Sequence, residues 1–365
     1  NLADATGNLL TTNGQLSYGP LDWGNFSRAY DLEYTVDAPV ASFTFEKDNL
    51  TIDVSARYDN ITARGLVVDG VAQSYDVNND GVISGPEIGG VPTFNRANGT
   101  NVNYDLGYGS YSAGLNYKFN RDMAAFARYS FGGRAGADRL ALNAGSSGPG
   151  FEKDSFYYDV TQGEVGLKYR NRDFASGQLT LNGTLFFAET REPSGAELNR
   201  VNPPLSYDSV GLELEGSYVR GSFSLIASGT FTDAEGTMNS GGNRISYDPR
   251  RQASFIYSVA PTYTWGNLTF GGSALGTTAS YVQDPAHGTA QDASALKLPA
   301  YMTLNAFAAY RFTPDLTLSV NVNNLMDTLG WTEGEEGAMP GGALPIARLR
   351  TLPGRTASMS LTYSF

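Results

Sequence analysis

The feature that most constrains this chain is a two-residue alternation of apolar and polar side chains that recurs from end to end. In Thr51-Ile52-Asp53-Val54-Ser55-Ala56-Arg57-Tyr58-Asp59, Ile52, Val54, Ala56 and Tyr58 fall on one face of an extended strand, and Thr51, Asp53, Ser55, Arg57 and Asp59 on the other. The same pattern is read over 111–119, 123–131, 179–187, 210–218, 223–231, 253–265, 268–282, 302–312, 316–322 and 357–365, the last strand closing on Phe365. The apolar fraction is 41%, yet no apolar run approaches the ~20 residues of a membrane helix.

Connections between these segments alternate in length. Tight turns are read at Lys47-Asp48-Asn49, Asn120-Arg121-Asp122, Asn171 to Gly177, Arg220-Gly221, Gly266-Asn267 and Thr313-Pro314-Asp315. Between them lie long Gly- and Asp-rich stretches near 67–100, 134–154, 192–205, 236–249, 284–297 and 328–350. Aromatics flank the tight turns: Phe45, Phe119, Tyr169, Tyr218 with Phe223, Trp265 with Phe270, and Phe312. Rings of this kind settle at the headgroup level of a bilayer, and short turns at one end with long loops at the other mark outer-membrane barrels. The expectation is an all-β, antiparallel transmembrane β-barrel with its apolar face turned to lipid. A soluble β-sandwich would turn that face inward and rarely carries strands of this length.

Counting segments gives about thirteen strands. A complete single-chain bacterial barrel has an even number, and an open sheet leaves costly edges in lipid. Residues 1–365 are therefore expected to be the C-terminal part of a larger barrel, with 1–28 the tail of an extracellular loop. No signal peptide is present, and the first residue is Asn1.

The remaining composition narrows the partners. A net charge of −12 without clustered Lys or Arg argues against nucleic acid. With no Cys and one His, zinc and thiolate chemistry have no ligand set. His287 lies in a predicted loop beside Pro285 and Gly288, and nothing marks Ser280 or Ser294 as an activated nucleophile, so an outer-membrane hydrolase is the weakest reading and the chain is not expected to be an enzyme. Arg57, Lys118, Arg128, Lys168, Glu213 and Glu215 form an inward charged set, expected to pair across a lumen.

The sharpest local chemistry is Asp76-Val77-Asn78-Asn79-Asp80-Gly81-Val82-Ile83-Ser84-Gly85-Pro86-Glu87, which fits the twelve positions of an EF-hand calcium loop. Calcium takes six to eight hard oxygens at flexible geometry. Here they would come from Asp76, Asn78 and Asp80, the Val82 carbonyl, Ser84 through water, and both oxygens of Glu87, with Gly81 at the sharp turn. The flanks do not read as helices, since Leu66-Val67-Val68 is a strand end and Pro86 interrupts the exit, so structural calcium in an extracellular loop is expected. The plain alternative is an Asx-rich solvated turn. A second acidic group, Glu333, Glu335 and Glu336 beside Trp331, reads as a solvated loop, with Trp331, Glu333 and Glu335 the candidate substrate contacts.

The C-terminal third resembles the TonB-dependent receptor family. The resemblance is carried by Leu298-Pro299-Ala300-Tyr301-Met302-Thr303-Leu304-Asn305, by Ala309-Tyr310-Arg311-Phe312, and by Leu316 through Asn321-Val322-Asn323-Asn324-Leu325-Met326-Asp327, similar to the family's N-V-x-N-L-F-D strand with Met326 in place of Phe. It continues in the closing Pro353-Gly354-Arg355 to Phe365 and, upstream, in Ser209-Val210-Gly211-Leu212-Glu213-Leu214-Glu215. It is strong over 205–365 and rests on strand rhythm alone over 30–190.

The resemblance implies a plugged barrel of about 22 strands. It also implies an outer-membrane location amid lipid and lipopolysaccharide in a Gram-negative cell, a TonB-type energy-coupling partner, an N-terminal plug without counterpart here, and uptake of a scarce small-molecule nutrient such as a ferric siderophore or oligosaccharide. A passive porin formed by this chain alone is the alternative reading. On the residues alone, Asn321, Asn323 and Asn324 lie on or beside the inward face, Pro353 and Gly354 break the preceding loop, and Arg355 marks the membrane edge.

Overall fold

A computed structural model describes residues 28–77, 79–83, 87–89, 91–136, 157–192, 205–240, 243–247, 252–281, 297–336 and 347–365. Its strands are β1 (Arg28–Asp37), β2 (Val40–Lys47), β3 (Leu50–Asp69), β4 (Val71–Gln73), β5 (Val91–Thr93), β6 (Thr100–Lys118) and β7 (Met123–Ala135). They continue as β8 (Tyr157–Phe174), β9 (Gly177–Glu192), β10 (Leu205–Arg220), β11 (Phe223–Ser240), β12 (Asn243–Tyr247), β13 (Phe255–Trp265) and β14 (Leu268–Thr277). Last come β15 (Ser280–Tyr281), β16 (Lys297–Leu298), β17 (Tyr301–Thr313), β18 (Leu316–Asn323), β19 (Trp331–Glu336), β20 (Ala347–Thr351) and β21 (Thr356–Tyr363).

One antiparallel sheet runs in the order β1-β3-β6-β7-β8-β9-β10-β11-β13-β14-β17-β18-β21, thirteen strands along its path, as the alternation predicts. β1 and β2 lie end to end on one edge of β3, because Ala38-Pro39 breaks the strand; Pro39 still accepts a hydrogen bond from the Tyr58 N–H at 3.1 Å. Among the described residues β1 and β21 do not pair with each other, so the sheet is open. β12 adds to β11, and three small hairpins (β4–β5, β15–β16, β19–β20) extend the long loops.

The register sorts side chains by chemistry. Along one face run Phe43 and Phe45, Ile52 and Val54, Tyr111 and Leu115, Val165 and Leu167, Leu185 and Phe187, Val320, and Met359 and Leu361, most of them exposed. On the other face Ser55 meets Ser112, Thr264 meets Thr269, and Asn305 meets Ser273. Large apolar groups left outside while hydroxyls pair inside is the reverse of a soluble protein and the arrangement of a sheet solvated by lipid.

The strands outrun a membrane. From Tyr111 to Phe119 the apolar band is about 27 Å along the chain and, at the ~40° tilt usual in such barrels, about 20 Å high. β3 alone has 20 residues. Beyond the band the pattern inverts. The face that carries Asp53, Ser55 and Arg57 continues as Ile61, Ala63 and Val67, packed with Val102, Tyr104, Leu32 and Leu106, and Tyr104 and Val67 are 0% exposed. The outward face there turns polar, with Arg64 bonded to Asp105 at 2.6 Å. On β9, β10 and β11 it shows Glu189, Asp208 and Glu235 directly opposite one another. An apolar inner cluster under a polar skin is ordinary aqueous packing, so these ends stand above the bilayer.

Some boundaries differ from the sequence reading. The turn placed at Asn171 to Gly177 is only Ala175-Ser176; both residues have positive φ (48° and 63°), the requirement of a type I′ hairpin, and the strand continues to Phe174 across a register shift. The final strand stops at Tyr363 rather than Phe365. The Ser364 N–H still donates to the Asp315 carbonyl at 2.8 Å, in line with the register of Tyr363 opposite Leu316.

Candidate functional site: the long-loop end of the sheet

The calcium-loop candidate sits in the β3–β6 connection, just after the β4 half of a small hairpin. Its described backbone has the required form. Gly81 has φ +82° with nothing within 4 Å of where a Cβ would stand, and Asn79 has φ +58°, a conformation Asn tolerates. The Asp76 carboxylate accepts the N–H groups of Asp80 (3.2 Å) and Gly81 (2.9 Å), and that of Asp80 accepts Val82 (2.7 Å).

Glu87, 8% exposed, returns to the loop's start. Its Oε1 accepts from Val77 at 2.9 Å and its carbonyl from Tyr75 at 3.1 Å. The first and twelfth positions are thus drawn to the same end of the loop. Asn78 and Ser84 lie outside the described residues. Among the described residues no three carboxylate or histidine groups form a metal cluster, because Asp76 and Asp80 are turned onto backbone N–H groups. Three of the six expected ligand positions are in any case not carboxylates.

The second candidate divides. Trp331 is half-buried at the start of β19, opposite Thr351, while Glu333 and Glu335 stand in the strand opposite Arg350 and Arg348. His287 lies outside the described residues.

Of the inward charges, Arg57, Arg128, Lys168 and Glu215 find partners along the wall. Arg57 grips Asp59 two positions away, Nε at 2.9 and 3.0 Å and Nη2 at 2.6 Å. Arg128 reaches Asp53 at 2.6 Å and Ser112 at 3.1 Å. The Lys168 Nζ lies 4.9 Å from the Phe126 ring centre, and Glu215 accepts from Asn182 at 3.4 Å. Above the band, the Tyr157 ring lies tilted against Tyr108 with centres 5.3 Å apart, and burial, then Asp159, raises its phenol above the ordinary value.

The arrangement is therefore a lipid-facing wall with a polar lining and a loop-bearing aqueous rim. The family model described as "TonB dependent receptor-like, beta-barrel" matches residues 4–325. The chain belongs to the TonB-dependent receptor family.

Solved structures of similar fold include the siderophore receptor PiuA from Acinetobacter baumannii (TM-score 0.61, 16% identity, 91% of this chain and 44% of that one). Others are the ferric-catecholate import receptor Fiu from E. coli K12 (0.63, 16%, 91% and 45%) and the ferric yersiniabactin uptake receptor FyuA from Yersinia pestis (0.65, 16%, 93% and 47%). The chain spans about half the length of these receptors or less. No curated protein matches it.

The motifs that carry the family resemblance also acquire positions. Asn324 and Asp327, each at positive φ, form the turn that follows β18, and Pro353-Gly354-Arg355 leads directly into β21. The sequence placed Asn324 beside the inward face, Pro353 and Gly354 at a loop break and Arg355 at the membrane edge, without showing that they meet.

Proposed function

We propose that this TonB-dependent receptor chain is the C-terminal wall of an outer-membrane active transporter. It would be part of a barrel of about 22 strands around a plug, importing a scarce nutrient with energy from a TonB-type partner. The observation that carries the reading is the family match over residues 4–325, on a sheet whose apolar band faces outward and whose lining is polar. The similar structures named as ferric-complex receptors favour a ferric siderophore as cargo over an oligosaccharide. The protein breaks no bond. It binds the cargo at the rim and admits it when the plug is displaced.

The test is uptake of a labelled ferric siderophore by cells carrying or lacking the gene, with and without the proton-motive force. Uptake should require both the gene and the energised inner membrane. Gene-dependent passage that survives de-energisation, with size-limited conductance in planar bilayers, would instead identify a passive pore.

For the β3–β6 loop we propose structural calcium held by Asp76, Asn78, Asp80, the Val82 carbonyl, Ser84 through water, and Glu87. Bound calcium supplies charge neutralisation and fixes the loop's form, and the return of Glu87 to the loop's start supports it. Affinity should be that of extracellular modules, about 0.1–1 mM. Chelation should speed amide exchange over 71–93 while leaving β6 and β7 protected. If an Asp76→Ala/Glu87→Ala variant shows the same exchange rates and the same response to chelator as the parent, the loop is a solvated turn.

A further inference from the structure

We propose that Asn324, Asp327 and Arg355 form a clasp that sets the register of the C-terminal strand, a positioning role separate from cargo recognition. The need for such a device is visible in the ladder between β18 and β21. Thr356, Ser358, Ser360 and Thr362 oppose Asn323, Asn321, Ser319 and Thr317 on one face, while Ala357, Met359, Leu361 and Tyr363 oppose Val322, Val320, Leu318 and Leu316 on the other. A slip of one residue would invert both faces and is excluded by patterning. A slip of two that draws Ser364 and Phe365 into the ladder would not: every inward residue would still be small and polar and every outward one apolar. The connection from 324 to 355 is far too long for turn geometry to choose between those registers.

The clasp chooses, because it grips the chain one residue beyond the last rung, Asn323 opposite Thr356. Asn324 is 5% exposed, in the left-handed conformation that Asn accepts. Its Nδ2 donates to the Thr328 carbonyl (2.9 Å) and the Pro353 carbonyl (3.1 Å), and its Oδ1 accepts the Thr328 N–H (2.8 Å). Asp327 Oδ1 accepts the Arg355 N–H at 2.7 Å, and the Arg355 Nη1 returns to the Leu325 carbonyl at 3.4 Å. Gly354 admits this approach, since a Cβ there would stand 3.1 Å from Asp327 Oδ1.

The clasp is anchored on its other side. The Asn324 N–H donates to Asn305 Oδ1 (2.9 Å), the Leu325 N–H to the Leu304 carbonyl (2.7 Å), and Asn305 Nδ2 to Ser273 Oγ (3.0 Å). One polar chain thus crosses β14, β17, β18 and the entry to β21. A two-residue slip of β21 would carry the Arg355 N–H about 6.6 Å from its acceptor. Burial of Asn324 withholds it from any ligand.

The chain has no Cys, so engineered pairs report register directly. In the intact protein in its native membrane, Ser319→Cys/Ser360→Cys should oxidise readily. Ser319→Cys/Ser358→Cys and Ser319→Cys/Thr362→Cys should not, since diagonal neighbours lie about 7–8 Å apart, beyond disulfide reach. Asp327→Ala, which loses one exposed bond to the Arg355 N–H, should raise the ratio of diagonal to direct cross-link about fivefold, and Asn324→Gly, which keeps the left-handed turn but loses three part-buried bonds, by more. Asp327→Asn keeps the acceptor and should restore the parental ratio. If either clasp variant keeps the parental ratio, the ladder sets its own register and the proposal is wrong. Should Asn324→Gly yield no folded barrel, Asp327→Ala against Asp327→Asn decides by the same ratio.

Discussion

Arg57 and Asp59 show how a single pair is held where the wall changes character. Asp59 is 4% exposed and adjoins the apolar cluster at Ile61, while half of the Arg57 side chain still meets the lumen. A carboxylate so placed is tolerated because the guanidinium meets it with Nε and Nη2 together. Removing the partner strands the charge. Arg57→Ala should therefore lower stability, and Arg57→Ala/Asp59→Ala by clearly less, because the second change removes the stranded carboxylate. Reversible denaturant unfolding in lipid measures both, and a double variant as unstable as the single one would show that the pair acts only through packing. By contrast Arg128 and Asp53, both more than a third exposed, should contribute less than about 1 kcal/mol when either is cut to Ala.

At the scale of the strand, the two faces of β6 make opposite demands. Leu115 faces lipid and Asn116 the lining, one residue apart. Leu115→Arg should cost about 2–4 kcal/mol and Asn116→Arg only a few tenths, read from unfolding midpoints in bilayers. Equal penalties would remove the distinction between the faces. The lipid band was legible because alternation and turn-flanking aromatics are local signals, as at Ile52 to Tyr58 and at Phe119. Two strands were harder to read: β8 carries few outward apolar residues beyond Val165, Leu167 and Tyr169, and the first edge strand is broken at Pro39.

The inversion above the band was written in Val102, Tyr104, Leu106 and Tyr108, whose parity is opposite to that of Tyr111, Ala113, Leu115 and Tyr117. A change of phase inside a continuous alternation is easily taken for a loop. The calcium loop was legible as spacing, and its backbone form agrees where described. The work of Asn324 was not legible, because its partners Thr328, Pro353 and Asn305 meet only once three strands are in place.

At the scale of the molecule, the thirteen strands along the sheet's path form, among the described residues, a wall with two unpaired edges, and such edges are costly in lipid. This wall should stand in a membrane with its apolar band outward, and the polarity of its two faces should invert where the strands leave the bilayer. A nitroxide scan of β6, one label at a time from Thr100 to Lys118 in lipid, tests it most directly. Labels at 111, 113, 115 and 117 should be accessible to oxygen in the bilayer, and those at 112, 114 and 116 to a water-soluble quencher. From 101 to 107 the odd positions should instead meet water, with 102, 104 and 106 shielded from both. Oxygen accessibility at odd positions continuing unchanged to 101, or no alternation at all, would show that the strand has no lipid-facing band of this kind.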